Sequence, residues 1–207
     1  MTAFAPVAAR CPTCALALQP ALPHCGECLQ HPAVFGGCVA AVDYGYPWDR
    51  FIAQFKFHGD TAWARLFGKL MAQAPGAHEL LTRCDSFIPM PLTRQRLGER
   101  GYNQAWLLTQ ALAPRRSEFG HKPQPEWLVK IQDTPPQHEL DRRGRLTNLA
   151  TAFAVSAQAL PELAQRRVLL IDDIMTTGAT LTAAARALTM AGAAQVDALV
   201  FARTPRA

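Results

Sequence analysis

The chain has 207 residues, 49% of them hydrophobic, enough for one α/β domain and a small appendage. No run of about 18 apolar residues occurs, which argues against a membrane-spanning helix; residues 1–10 lack a basic start and long apolar core, so no secretion signal is expected and a cytoplasmic location is. A net charge of +5 is compatible with phosphorylated ligands or nucleic acid and proves neither.

The N-terminal segment carries Cys11-Pro-Thr-Cys14 and, ten residues later, Cys25-Gly-Glu-Cys28. Two closely spaced Cys-x-x-Cys knuckles supply four thiolates, the set that tetrahedral Zn²⁺ prefers. Two disulfides are the alternative, and they are disfavoured in a chain with no export signal. A redox pair is also disfavoured, since neither motif starts a helix after a strand. Cys38 and Cys84 lie in apolar surroundings and read as core residues. A knuckle this small has no core of its own, so metal binding would supply its folding energy. The expected division is 1–32 for the knuckle and 33–207 for the main domain. No Lys or Arg lies between the knuckles, which weakens a direct nucleic-acid role for them.

Residues 34–46 predict one or two short strands around a Gly36-Gly37 turn. Pro47 opens a helix with Trp48, Phe51, Ile52 and Phe55 on one face, and Lys56 near its end. A second helix is expected over about 61–73. Cys84 to Pro91 reads as a strand entering a Pro-locked turn. Leu92 to Gly101 reads as an arginine-rich loop with Arg94, Arg96 and Arg100 against one acid, Glu99, before a helix through about Leu112. Such a loop between a strand end and a helix start is a candidate anion site. No cluster of aromatics is evident near these arginines, which counts against a base-stacking groove. Residues 113–126 read as a linker, 127–131 as a strand, and 152–155 and 196–201 as two more. Between them lies Asp133-Thr-Pro-Pro-Gln137, then a stretch bearing Arg142, Arg143 and Arg145.

The most informative stretch is 167–192. Val168 to Ile171 is an unbroken apolar run, as in a parallel strand covered on both faces. Asp172 and Asp173 are expected to end it. Thr176, Thr177, Gly178, Ala179 and Thr180 form a small hydroxyl-rich turn. An Ala-rich helix follows, with Gly192 as its stop. Amides at such a helix start carry the positive end of the dipole and form an anion cradle. The adjacent carboxylates can accept hydrogen bonds from sugar hydroxyls or hold Mg²⁺ beside a phosphate. A cradle of this kind suits a sugar phosphate. The stretch lacks the Gly-Lys-Ser/Thr of a Walker loop and the spaced glycines of a dinucleotide fingerprint.

Ile171-Asp172-Asp173-Ile174-Met175-Thr176-Thr177-Gly178-Ala179-Thr180 resembles the phosphoribosyl pyrophosphate (PRPP) loop of type I phosphoribosyltransferases. Ile88 to Leu92, with Arg96 to Ala105, resembles the ComF branch of that family, as do the cysteine knuckles and the Thr-Pro-Gln turn. Here an additional Pro136 is present. The resemblance spans Cys11 to Arg203 and implies a mainly parallel α/β sheet flanked by helices, with its loops on one edge. It implies that Asp172 and Asp173 meet the ribose hydroxyls and act as the catalytic acids. Residues 176–180 would hold the 5′-phosphate, and Arg94, Arg96 and Arg100 the pyrophosphate; Lys56 is placed to reach the pyrophosphate or, equally, to cap the C-terminus of its helix. Gln137, Arg142, Arg143 and Arg145 would belong to a flexible loop that folds over the ligand and excludes water. Cys11, Cys14, Cys25 and Cys28 would hold structural zinc.

Three functions follow from the resemblance. The first is transfer of ribosyl 5-phosphate from Mg·PRPP to an acceptor. The second is handling of single-stranded DNA with uptake or recombination proteins in natural transformation. The third is PRPP sensing without turnover. No general base or acceptor-binding hood is legible.

Overall fold

The computed structural model describes residues 8–18, 22–31, 33–113, 122–131 and 152–205. Five strands form a parallel sheet in the order β1-β7-β6-β2-β3. They are β1 (Cys38–Asp43), β2 (Ser86–Pro89), β3 (Lys122–Pro123), β6 (Arg167–Met175) and β7 (Gln195–Arg203). β4 (Leu128–Lys130) and β5 (Phe153–Val155) make a separate antiparallel pair. β3 and a short helix α4 (Ala77–Arg83) had no clear signal in the sequence. β3 holds only two residues, and α4 is under two turns.

Alternation along the central strands serves two cores. Val168 and Leu170 of β6 join Ala198 and Val200 of β7 on one face. Leu169 and Ile171 join Leu199 and Phe201 on the other. All eight are wholly buried, each large side chain contributing about 1.5–3 kcal/mol. That double burial is why β6 reads as a continuous apolar run.

The second face is covered by α2 (Trp48–Phe57), α3 (Trp63–Gln73), α4 and α6 (Gln104–Leu112). Phe67 stacks on Phe201 with ring centroids 3.9 Å apart, and Trp48 meets Phe201 edge-on at 5.5 Å. The predicted aromatic stripe on α2 is therefore core. The first face is covered by α7 (Leu160–Leu163), α8 (Ala179–Met190) and the cysteine segment with α1 (Gly26–Gln30). Cys11, Cys14 and Cys25 share this buried cluster with sheet residues. Cys25 caps α1, but among the described residues no strand precedes it. Burial pushes the thiols of Cys38 and Cys84 up to about 12, consistent with inert core cysteines.

Two expectations are corrected. Asp172 and Asp173 do not end their strand: β6 runs on to Met175, in register with Arg203. β7 is equally long, so pairing continues past the acids. The segment after β2 is not a loop but α5 (Arg94–Arg100). Thr93 caps it by accepting from the Arg96 amide at 3.4 Å, and Gly101 at φ 78° terminates it. No described helix is long and apolar enough to cross a membrane.

Candidate functional site

Chain direction in the sheet reverses between β2 and β6. From β2 the chain moves outward to β3, and from β6 it moves the other way, to β7. Open parallel sheets bind ligands at the carboxyl ends of strands beside such a switch point. Here that crevice is flanked by the segment after β2 and the loop after β6, the two stretches singled out in the sequence.

The loop after β6 ends in Gly178, at φ 83°, which caps the twelve-residue α8. The Thr177 hydroxyl accepts from the Ala179 amide at 3.3 Å. The remaining first-turn amides have no partner within the helix and face outward from its positive end. Its left-handed conformation favours glycine, and a Cβ there would lie 2.5 Å from the Met175 methyl, which would have to swing aside.

Asp173 is buried and lies on the α2 side, where Lys56 Nζ comes within 3.0 Å of its Oδ2. Among the described residues Oδ2 accepts no hydrogen bond, which leaves it capacity for a ligand donor. Asp172 is only half-buried by surface area, and its Oδ1 accepts from the Asp173 amide at 2.8 Å. Loss of hydration, then the Asp173 charge, pushes its carboxyl up to about 7.

Lys56 links the acids to a cleft of about 400 Å³ that Arg96, Arg100, Phe57 and Tyr102 also line. Arg94 is exposed and is not part of this lining. Arg100 donates to Gln104 Oε1 at 2.6 Å and lies over the Phe57 ring, 5.3 Å from its centroid. Phe57 is 70% exposed. The arginines still lack a cluster of aromatics, but the fold brings one aromatic, Phe57, beneath Arg100. The signal was available: Phe57 falls off the buried stripe of α2, yet it is aromatic. The Tyr102 hydroxyl donates to the Phe55 carbonyl, tying α6's approach to α2. Asn103 caps α6 and donates to the Met90 carbonyl at 3.0 Å, fixing the turn after β2. Gln137, Arg142, Arg143 and Arg145 lie outside the described residues.

The sulfur atoms of Cys11, Cys14, Cys25 and Cys28 all lie within 4.8 Å of one another, and those of Cys14 and Cys25 are 3.6 Å apart. Tetrahedral Zn–S bonds of about 2.3 Å imply sulfurs roughly 3.8 Å apart. The four cysteines could therefore hold a metal ion. All four are free thiols, without a disulfide.

Sequence reasoning took Arg203 as the end of the resemblance and gave it no role. Its guanidinium is buried at the end of β7 and donates to four backbone carbonyls. A lone arginine closing an apolar strand was its only local signal.

The family model for the phosphoribosyl transferase domain matches residues 126–207. Competence protein F of Haemophilus influenzae is 34% identical over 198 residues, covering 93% of this chain and 84% of that protein. DNA utilization protein YhgH of Salmonella typhimurium is 33% identical over 198 residues, covering 94% and 84%. Competence protein ComFC of Streptococcus pneumoniae is 25% identical over 178 residues, covering 86% and 70%. A solved structure of the allosteric regulatory enzyme of purine biosynthesis overlaps 66% of this chain and 25% of its own, with a TM-score of 0.40 and 17% identity. With a phosphoribosyltransferase domain, a parallel sheet and a four-cysteine cluster, the chain belongs to the ComF family of competence and DNA-utilization proteins.

Proposed function

We propose that this protein binds Mg·PRPP at the switch point between β2 and β6 and transfers ribosyl 5-phosphate to an acceptor. The observation that carries the reading is the hydroxyl-rich turn 176–180, capping α8 directly after two acids at that crevice. The 5′-phosphate meets the first-turn amides of α8 and the hydroxyls of Thr176, Thr177 and Thr180. Asp172 and Asp173 accept from the ribose 2′- and 3′-hydroxyls and favour positive charge developing at C1. Lys56, Arg96 and Arg100 receive the pyrophosphate; Arg94 adds charge at the rim. The residues of 137–145 serve as the lid.

In the reaction the bond from C1 to the pyrophosphate oxygen breaks, and its electron pair leaves with pyrophosphate. A lone pair on the acceptor forms the new bond to C1, and the acceptor's proton passes to water or to the departing pyrophosphate. The carboxylate oxygens of Asp172 and Asp173 suit a hard cation, and Mg²⁺ held beside them would neutralise the departing phosphates. Zinc at Cys11, Cys14, Cys25 and Cys28 is structural, a fit supported by the sulfur spacing. A cytoplasmic location follows from this thiol chemistry and from a cytosolic sugar phosphate.

The test is a calorimetric titration of the purified protein with Mg·PRPP. Saturable binding that disappears in the Asp172→Asn/Asp173→Asn double variant is the expected result. An unchanged dissociation constant in that variant would sink the assignment.

A second reading is favoured by Phe57 beneath Arg100 and by the names of the relatives. In it the same cleft grips single-stranded DNA, phosphates on Lys56, Arg96 and Arg100 and a base on Phe57, alongside DNA-uptake or recombination proteins. Oligonucleotide binding that weakens steeply with salt and with Phe57→Ala, without PRPP binding, would establish it instead.

A further inference from the structure

The site as described does not use a buried guanidinium that joins it to the cysteine cluster. Arg203 is 2% exposed. Its Nε donates to the Cys14 carbonyl at 2.9 Å, inside the first knuckle. Its Nη1 donates to the carbonyls of Met175 at 3.3 Å, of Thr176, and of Thr204 at 2.7 Å. Thr176 is the first residue of the anion turn. One side chain therefore spans from the metal-binding knuckle to the loop.

A buried cation satisfied by carbonyl dipoles alone is an expensive arrangement, and among the described residues no carboxylate pairs with it. Ordinary packing does not call for it. The planar five-donor fork can hold carbonyls from several segments at fixed angles, which a lysine cannot. A second route runs in parallel. The Cys38 amide donates to the Pro12 carbonyl at 2.9 Å, the Cys38 sulfur lies 3.7 Å from that of Met175, and the Met175 methyl packs on Gly178. Both routes start in the Cys11–Cys14 turn and end in residues 175–178.

We infer that Arg203 is a positioning residue for the 176–180 turn, and that metal occupancy of the cysteine cluster is coupled through it to anion binding there. Metal holds the Cys11–Cys14 turn, and that turn fixes the Cys14 carbonyl. The carbonyl orients the guanidinium, which fixes the Thr176 carbonyl and with it the path into α8. Without metal the Cys14 carbonyl is free to move, and Arg203 loses the contact that sets its angle. Coupling of this kind is reciprocal, so an anion in the turn must also tighten metal binding. The structural coupling stands on the hydrogen bonds alone; its consequence for PRPP rests on the function proposed above.

The experiment uses the full chain, loaded with zinc and stripped by chelator, as native protein and as Arg203→Lys. Amide exchange is read at Thr182, which donates to the Gly178 carbonyl at 2.9 Å, and at Thr204, which donates to the Met175 carbonyl at 2.9 Å, beside that of α3, which reports the integrity of the fold. Stripping native protein should speed exchange at these two amides by roughly tenfold, the loss of one hydrogen bond to a charged group, with α3 unchanged. In Arg203→Lys the turn should exchange fast whether or not metal is present. Faster exchange confined to residues 11–28 would overturn the coupling, and a turn in Arg203→Lys that responds to metal as fully as in native protein would overturn the role of Arg203. Should Arg203→Lys lose protection in α3, the Arg203→Gln variant takes its place, and the stripped native protein already tests the coupling.

Mg·PRPP titration supplies the second readout. Stripping should weaken binding to native protein about tenfold, and PRPP should slow zinc release to a chelator by a like factor. Equal affinity with and without metal overturns the inference. If loaded native protein binds no PRPP while the exchange coupling holds, the ligand assignment fails and the coupling stands.

Discussion

Substituting Gly178 tests whether the turn before α8 is as constrained as its geometry implies. Gly178 sits at φ 83°, and a Cβ built on it would lie 2.5 Å from the Met175 methyl. An L-residue in the left-handed region costs about 1–2 kcal/mol. Driving Met175 off its rotamer adds roughly 0.5–1.5 kcal/mol, since the Cys38 sulfur 3.7 Å away limits its retreat. Gly178→Ala should therefore destabilise the fold by about 1.5–3.5 kcal/mol, lowering the melting temperature by roughly 3–14 °C. Mg·PRPP affinity should fall as well, because the strain is relieved by moving the cradle. Gly98 provides the control. It lies in α5 with open space around its Cβ position and no positive φ. Gly98→Ala should leave stability unchanged or raise it by about 0.5–1 kcal/mol. Urea unfolding of both variants beside the native chain decides the matter. A Gly178→Ala midpoint within error of native would refute the reasoning, since neither strain nor the Met175 contact would then exist.

Three more outcomes are expected. Because the folded chain raises the Asp172 carboxyl from 3.8 to about 7, the folded state holds that proton more tightly than the unfolded one. Its stabilising contribution is present in full below pH 4 and is lost as pH rises towards 7. Urea midpoints should show a decline over that interval that Asp172→Asn lacks, and Mg·PRPP affinity should rise as the carboxyl ionises. Gly68→Ala would place a Cβ 2.6 Å from that of Ala111, where α3 crosses α6. Overpacking of about 1–3 kcal/mol should lower the melting temperature while PRPP affinity per folded molecule stays as in native protein. Elemental analysis of protein purified without chelator should find one zinc per chain. Cys25→Ser should reduce the zinc content and accelerate proteolysis near residues 11–28, and full zinc retention in that variant would exclude the four-cysteine site.

The local signals were strong wherever one segment supplies a whole device. Val168 to Ile171 announced a doubly covered strand, the Thr-Thr-Gly-Ala-Thr stretch the turn before a helix, and four cysteines in two pairs a cluster that could hold a metal ion, because each depends on spacing along the chain. Gly192, at φ 105°, stops α8 as its position predicted. Where the acid pair stands relative to its strand end was misjudged, because pairing to β7 extends β6 and that pairing is non-local. The Arg94–Arg100 segment was misread as a loop, because its Thr93 cap and Gly101 terminator were outweighed by its charge.

Only the tertiary structure decided how these devices meet. The sheet order places the segments after β2 and β6 on either side of one crevice, although about eighty residues separate them in the sequence. It brings Lys56 to Asp173 and Phe57 beneath Arg100, pairings invisible to any local pattern because burial and approach depend on which strands are neighbours. It also sets Arg203 between Cys14 and Thr176. A residue's chemistry is written in the sequence; which carbonyls surround a buried charge is determined only when distant segments pack and water is excluded from between them.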